Sequence, residues 1–308
     1  MADRPRYAYL GPPGTFTEAA LRQVVSPDDA EYLPQPDVVT ALDAVREGRA
    51  EHAVVAIENS VEGAVTAVLD TLAVGEPLVM LRELLVPVSF SLVGRDGVAL
   101  ADVRRVAAHP HAWAQCRRWL ADHLPDAEHV PEASNTVPAQ SLAEGVADFD
   151  AALVPPPAVA QYGLRVLAEG VADNPSAVTR FVLLGRPGEL PPPTGADKTS
   201  LVVHLPDNQA GALLALLEQF ATRGVNLSRI ESRPIGDALG RYSFSIDADG
   251  HVAEPRMAEA LMGLHRVCPV VRFLGSYPRA DGTSSAVGPG TSEDDFAAAR
   301  RWLDDLLG

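Results

Sequence analysis

Basic charge is scarce in this chain, and cysteine is scarcer. Against 41 Asp and Glu stand 25 Lys and Arg, a formal net charge of −16, and no Lys/Arg-rich block offsets the deficit locally. Such a chain repels a phosphate backbone, so no nucleic-acid partner is expected and the ligand should be a small molecule. If that ligand is an anion, particular groups must meet it, such as helix N-termini or a single Arg, because the average field has the wrong sign. The two cysteines, Cys116 and Cys268, lack any paired spacing, which argues against a disulfide framework, a zinc ribbon or a CxxC redox site; both are expected to be reduced. No run approaches the roughly 20 apolar residues of a membrane helix, and Met1-Ala2-Asp3-Arg4-Pro5-Arg6 leads into a strand without a signal-peptide core. A cytoplasmic protein with no membrane partner is the expectation.

Missing motifs narrow the chemistry further. Gly11 to Thr15 lacks the Lys and the spacing of a P-loop, and no GxGxxG opens a helix with an acidic residue at the proper distance. Neither a GxSxG elbow nor a clustered His/Asp/Glu metal spacing is present. The expected chemistry uses no metal and no cofactor.

What is present suffices for a folded protein, with 47% apolar and 21% charged residues in 308, a length that exceeds one ordinary domain. Gly185-Arg186-Pro187-Gly188-Glu189-Leu190-Pro191-Pro192-Pro193-Thr194-Gly195 can neither continue a helix nor donate regularly to a sheet, and reads as a linker. Before it, β-like runs alternate with helical patterns: Tyr7 to Leu10 then Thr17 to Val25, Ala53 to Ile57 then Val61 to Ala73, Val103 to Ala108 then His111 to His123, and Ala151 to Val154 then Ala158 to Tyr162. This is α/β architecture. After the linker, strands at Ser200 to His204, Leu227 to Ser232, Arg241 to Asp247 and Val270 to Ser276 interleave with helices at Gly211 to Arg223 and Pro255 to Arg266. The order βαββαβ is that of a ferredoxin-like unit, whose helix-free sheet face is open to a partner. A last amphipathic helix, Glu293 to Leu307, is expected to dock through Phe296, Trp302, Leu303, Leu306 and Leu307.

Polar residues collect where strands end. Thr15 and Glu18 form a capping-box arrangement, Asn59 or Ser60 reads as the N-cap of a helix passing Glu62 and Gly63, His109-Pro110 opens a helix carrying Gln115, and Ser134-Asn135-Thr136 opens another. In an α/β fold such ends line one crevice suited to an anion, although each residue taken singly also serves as an ordinary cap. Glu58, directly after Val54-Val55-Ala56-Ile57, is a carboxylate that is costly to bury without a partner. In Thr179-Arg180-Phe181, Arg180 brings a planar fork able to meet a carboxylate at two points, or to pair with an acid at a strand edge.

Taken in order, these residues resemble one family, the prephenate dehydratases. The resemblance rests on Tyr9-Leu10-Gly11-Pro12-Pro13-Gly14-Thr15-Phe16-Thr17, Ile57-Glu58-Asn59-Ser60-Val61-Glu62-Gly63, His109-Pro110 with Gln115-Cys116, and Thr179-Arg180-Phe181-Val182. Gly211-Ala212-Leu213-Leu214 and Glu231-Ser232-Arg233-Pro234 resemble the two phenylalanine-binding signatures of the family's ACT modules. It implies a two-lobed α/β catalytic domain of periplasmic-binding-protein type over 1–185, its lobes roughly 1–78 plus 165–185 and 79–164. A linker over 186–198, an ACT domain over 199–277 and a tail over 278–308 would follow.

The implied activity is that of a hydro-lyase turning prephenate into phenylpyruvate in phenylalanine biosynthesis, under feedback by L-phenylalanine. It implies Thr179 as the donor to the leaving hydroxyl, with Arg180, Glu58 and Asn59 as further catalytic residues and Glu58 as a candidate proton source. Thr15, Ser60, Gln115 and Phe181 would contact substrate. L-Phenylalanine would bind at Asn208, Gly211, Ala212, Leu213, Asn226, Leu227, Glu231, Ser232, Arg233 and Pro234, between ACT modules of a homodimer or homotetramer. The sequence departs from the usual family pattern at Ala108, where a Ser often precedes His-Pro, at Leu85, and at Thr136-Val137-Pro138-Ala139. Other readings are an enzyme preferring arogenate, one acting on prephenate without aromatising it, or a sensor that binds without turnover.

Overall fold

A computed structural model describes residues 4–205, 209–235 and 242–307. The chain runs β1 (Arg6–Leu10), α1 (Phe16–Arg22), β2 (Glu31–Gln35), α2 (Val38–Arg46), β3 (His52–Asn59), β4 (Gly63–Ala64), α3 (Thr66–Ala73), β5 (Val79–Pro87) and β6 (Ser91–Gly94). It continues with β7 (Arg105–Ala108), α4 (Pro110–Gln115), α5 (Arg117–His123), β8 (Glu128–Pro131), α6 (Val137–Ala143), β9 (Ala151–Val154), α7 (Pro156–Tyr162), β10 (Arg165–Ala168) and β11 (Val178–Gly185). The remaining elements are β12 (Asp197–His204), α8 (Ala212–Ala221), β13 (Leu227–Pro234), β14 (Tyr242–Asp249), α9 (Pro255–Val267), β15 (Val270–Pro278) and α10 (Glu293–Leu307).

Two compact units divide the chain, one holding residues 1–68 and 84–181, the other 69–83 and 182–308. The described residues form three sheets: β2-β1-β3-β11-β5 with β4 beside β3, β10-β6-β9-β7-β8, and β13-β14-β12-β15. β1 runs parallel to β2 and β3, as βαβ crossovers through α1 and α2 require. In the second sheet β7 is parallel to β8 and β9, while β6 is antiparallel to β9 and β10. Each of these two sheets has its own helices, so the part of the chain before β12 forms two α/β lobes. Val106, Leu120, Leu153 and Cys116 pack one side of the second sheet; Val93, Ala107, Ala139 and Ala158 pack the other.

The lobe boundaries differ from the expected ones. β5 belongs to the first sheet, not to the second lobe, and β10 pairs with β6 in the second sheet, so the return to the first lobe occurs at β11 and not at 165. A strand of 4 residues such as β10 carries no sequence signal of which sheet it joins. The helix expected from Val61 begins only at Thr66, because the chain first turns back at Gly63, whose φ is +84°, to pair β4 with β3. The helix expected over His111 to His123 is two helices, α4 and α5, divided at Cys116.

In the second unit β12 to β15 are antiparallel, in the ferredoxin-like order second, third, first, fourth. Leu201, Val203, Phe244 and Ile246 pack with Leu216, Phe220, Met257 and Leu264 of α8 and α9. β12 starts two residues before the expected domain edge, because buried Asp197 accepts from the Thr194 and Gly195 amides and ends the linker there. The first residue expected in β14, Arg241, lies outside the described residues.

The helix-free face is not left open along its length. Arg233 makes two bonds to Asp70 (2.9 and 2.7 Å), Arg272 donates to the Val74 and Gly75 carbonyls (3.2 and 2.7 Å), and Lys198 meets Glu83 at 2.6 Å. Segment 69–83 therefore bonds to β12, β13 and β15. α10 forms over the expected residues and meets α9, with Phe296 half-buried, but the rest of its apolar side stays in water: Trp302 is 65% exposed and Leu306 63%. Charged neighbours at Arg300, Arg301, Asp304 and Asp305 keep that short stripe in water.

Candidate active site

Strand alternation fixes the first feature of the site. On β11 Thr179 and Phe181 point to one side and line a cavity of 630 Å³, while Arg180 between them points to the other. Arg180 is 7% exposed, and its Nη1 lies 3.3 Å from Glu58 Oε2 on β3. Burial of a guanidinium demands such a counter-charge. Glu58 and Arg180 thus hold each other behind the wall that Thr179 faces, and neither lines this cavity.

Asn59, at the end of β3, makes the second feature. Its Oδ1 accepts from the amides of Val61 and Glu62 (2.8 and 3.2 Å), which turns its Nδ2 toward Thr179 Oγ1 at 2.9 Å. A hydroxyl that accepts a bond keeps its own O–H free to donate. Asn59 therefore leaves the Thr179 proton available on the cavity side. Ser60 is spent on the same junction: its amide donates to the Val178 carbonyl (2.9 Å) and its hydroxyl accepts from the Val178 amide (3.0 Å). The expected helix cap at Asn59 or Ser60 is replaced by these turn and strand contacts.

The same cavity draws on both lobes. Leu10, Thr15, Thr17 and Gln35 come from the first lobe, and His109, Ser134, Asn135 and Pro155 from the second. Thr15 caps α1 by accepting from the Glu18 amide (3.2 Å) and donates to the Leu10 carbonyl (3.2 Å), while Glu18 reaches back to the Gly14 amide (2.6 Å). Its hydroxyl is occupied, so Thr15 offers the cavity shape and backbone. His109 Nδ1 accepts from the His111 amide (3.2 Å), which requires the neutral ring. Burial, and then the charge of His111, hold the His109 pKa below its ordinary value. Burial also pushes the Cys116 thiol up to about 12, so this cysteine is no nucleophile.

A second cavity, of 810 Å³, is lined by Asn59, Glu62, Gly63, Thr66, His111, Gln115 and Asp173 among others. Gln115 Nε2 donates to Glu62 Oε1 at 2.7 Å, and His111 Nδ1 lies 2.5 Å from Glu62 Oε2. Glu62 and His111 were not among the expected site residues. The signal that could have found His111 is its helical spacing from Gln115, which puts both on one face of α4. Among the described residues no Lys or Arg lines either cavity; an anion in the first meets amides, hydroxyls and an imidazole, whereas the second also carries the carboxylates of Glu62 and Asp173.

Among the effector residues, Asn208 lies outside the described residues. Gly211 has φ +86° and starts α8; Ala212 opens the helix, and Leu213 is 38% exposed. Asn226 donates to Asp249 Oδ2 at 2.8 Å, and Leu227 packs into the helix-side core. Glu231, Ser232, Arg233 and Pro234 end β13, with Arg233 engaged by Asp70.

The fold and this cleft define a class: a two-lobed α/β protein of periplasmic-binding-protein type, with hydrogen-bonding groups converging between its lobes and a ferredoxin-like ACT domain after them. Residues 7–189 match the family described as Prephenate dehydratase, and residues 199–266 match the ACT domain. The chain belongs to the prephenate dehydratase family. A prephenate dehydratase of Amycolatopsis methanolica is 50% identical over 299 residues, 97% of this chain and 96% of that protein. The crystal structure of an Arthrobacter aurescens prephenate dehydratase in complex with L-Phe superposes with a TM-score of 0.93 at 56% identity, covering 98% of this chain and 99% of that one. A protein described as GqqA, a novel type of quorum quenching acylase, is similar at TM-score 0.77 and 32% identity, covering 89% of this chain and 98% of that one.

Proposed function

We propose that this chain converts prephenate, with one proton, into phenylpyruvate, carbon dioxide and water, and that L-phenylalanine lowers that activity through the ACT domain. Loss of the ring hydroxyl and the carboxylate makes the ring aromatic, so no electron acceptor is needed. The barrier lies in expelling a poor leaving group, and a fixed hydrogen-bond donor at that oxygen is the chief requirement. The observation that carries this reading is the Asn59 Nδ2 to Thr179 Oγ1 bond of 2.9 Å, which leaves the hydroxyl of a cavity-lining threonine free to donate. Thr179 donates to the departing oxygen, a bond that strengthens as charge develops there. Asn59 fixes that donor, Gln115 orients substrate from the second lobe, and Phe181 packs against the ring. Arg180 and Glu58 brace β3 against β11 behind the site.

The similarity to the L-Phe complex supports the regulatory part, and the ACT signatures supply the residues. Asn208 to Leu213 of one module and Asn226 to Pro234 of its neighbour bind the effector in a cytoplasmic homodimer or homotetramer. Incubating the purified chain with prephenate and following phenylpyruvate and carbon dioxide tests the activity, and sedimentation with and without L-phenylalanine tests the assembly. Binding of prephenate without turnover would support the sensor reading instead. Release of acid from an N-acyl amide, with no phenylpyruvate formed, would align the chain with the acylase-like relative.

A further inference from the structure

Glu62 occupies a node that the reaction as described leaves unused. Its carboxylate accepts from Gln115 Nε2 through one oxygen (2.7 Å) and meets His111 Nδ1 through the other (2.5 Å). Both partners sit on α4 of the second lobe, whereas Glu62 follows β3 of the first. Its backbone amide donates to Asn59 Oδ1 (3.2 Å), the oxygen whose anchoring turns Asn59 Nδ2 toward Thr179. One residue thus joins the amide that holds Thr179 to the amide offered by the opposite lobe.

The chemistry fixes the direction of each contact. A carboxylate only accepts, so it selects the Gln115 rotamer that presents NH₂ to Glu62 and turns Oε1 away. That Oε1 is buried and has no hydrogen-bond partner among the described residues, so no hydrogen bond to this oxygen competes with Glu62 for the pose. The 2.5 Å approach of His111 Nδ1 to Glu62 Oε2 likewise requires a proton between the two atoms. Asp173 adds a backbone restraint, its amide donating to the Gln115 carbonyl at 2.8 Å.

We propose that Glu62 is a positioning residue for the reaction, a clasp between the lobes that acts through Gln115 and is seated by His111. The inference rests on the prephenate dehydratase reading of the cleft. Small displacements of an orienting group cost much in rate and little in folding, which separates this role from a structural one.

The test compares wild type, Glu62→Ala, Gln115→Ala and the double variant, with prephenate as substrate. Glu62→Ala should lower kcat by about 10-fold, with KM changed less than about threefold and thermal unfolding nearly unmoved. In the Gln115→Ala background the same change should cost at most about twofold, because its route is already gone. Glu62→Gln guards against a misfolded Ala variant: it keeps the volume but cannot accept from both partners, and should also lose turnover. Near-normal kcat in Glu62→Gln and Glu62→Ala, a pure KM effect, or fully multiplicative losses in the double variant would each overturn the proposal. An inactive wild type is a different result, and it would sink the functional reading itself.

Discussion

A threonine becomes a useful donor only if something else accepts on its behalf. Asn59 does this for Thr179, from 120 positions away along the chain. Replacing Thr179 with Val keeps shape and burial but removes the donor, so kcat should fall about 100-fold or more with unfolding unchanged. Near-normal turnover in that variant would remove Thr179 from the mechanism. His109 makes a pH-dependent contribution. Its folded pKa lies below the ordinary 6.5, so the stability it gives is fully present above that value and is lost as pH falls through the folded one. His109→Asn retains a capping acceptor and does not titrate. Urea midpoints at pH 8 and pH 5.5 should show the wild type losing more stability over that interval than the variant; equal losses would show that His109 has no part in the acid limb.

At this scale the sequence was informative where chemistry is local. The Thr15 and Glu18 capping pair can be read from spacing alone, and Thr179 and Phe181 share a face because strands alternate. Arg180 was read either as a substrate contact or as the partner of an acid at a strand edge, and alternation turns it toward Glu58. The Ser60 bonds to Val178 and the Glu62 contacts with His111 and Gln115 were hidden because they join positions 49 to 118 apart in the chain. No local pattern encodes such contacts.

Among the elements, most strands and helices follow from periodicity, and the errors cluster where periodicity is silent. α4 and α5 keep one apolar face across their break, so the pattern reads as a single helix. The rough lobe limits at 78/79 and 164/165 came from the family resemblance and part from the sheets that β5 and β10 join, because hydrophobic alternation identifies a strand but not its neighbours. α3 was expected to begin at Val61 because its apolar spacing extends backward through the Gly63 turn. Its true span has a consequence: Thr66 and Ala67 in its first turn line the second cavity, and Asp70 one turn on is gripped by Arg233 at the end of the effector strand. Asp70→Asn keeps the shape and loses the charge-assisted pairing. Uninhibited turnover should stay within about twofold of wild type, L-phenylalanine should still bind by calorimetry, and its inhibition should weaken severalfold. Inhibition as strong as wild type would show that this pair does not transmit the effector signal.

For the whole molecule, sequence order and compactness disagree. Residues 69–83 group with the regulatory unit although 66–68 before them and 84–87 after them belong to the catalytic one. Cutting the chain after Gly185, at the proline-rich linker, therefore strips Glu83 of Lys198, Asp70 of Arg233 and the Val74 and Gly75 carbonyls of Arg272. A buried carboxylate left without its cation is strongly destabilising, by about 3 kcal/mol. The truncated protein should unfold well below the intact chain in a thermal melt, and an unchanged melting temperature would mean that the segment does not depend on those partners. For anyone recombining such enzymes, the transferable sensor is consequently not the C-terminal half. A chimera that exchanges the ACT domain must also carry a matching insert between positions 69 and 83, or the imported sheet will meet a foreign surface where its own arginines expect acids and carbonyls.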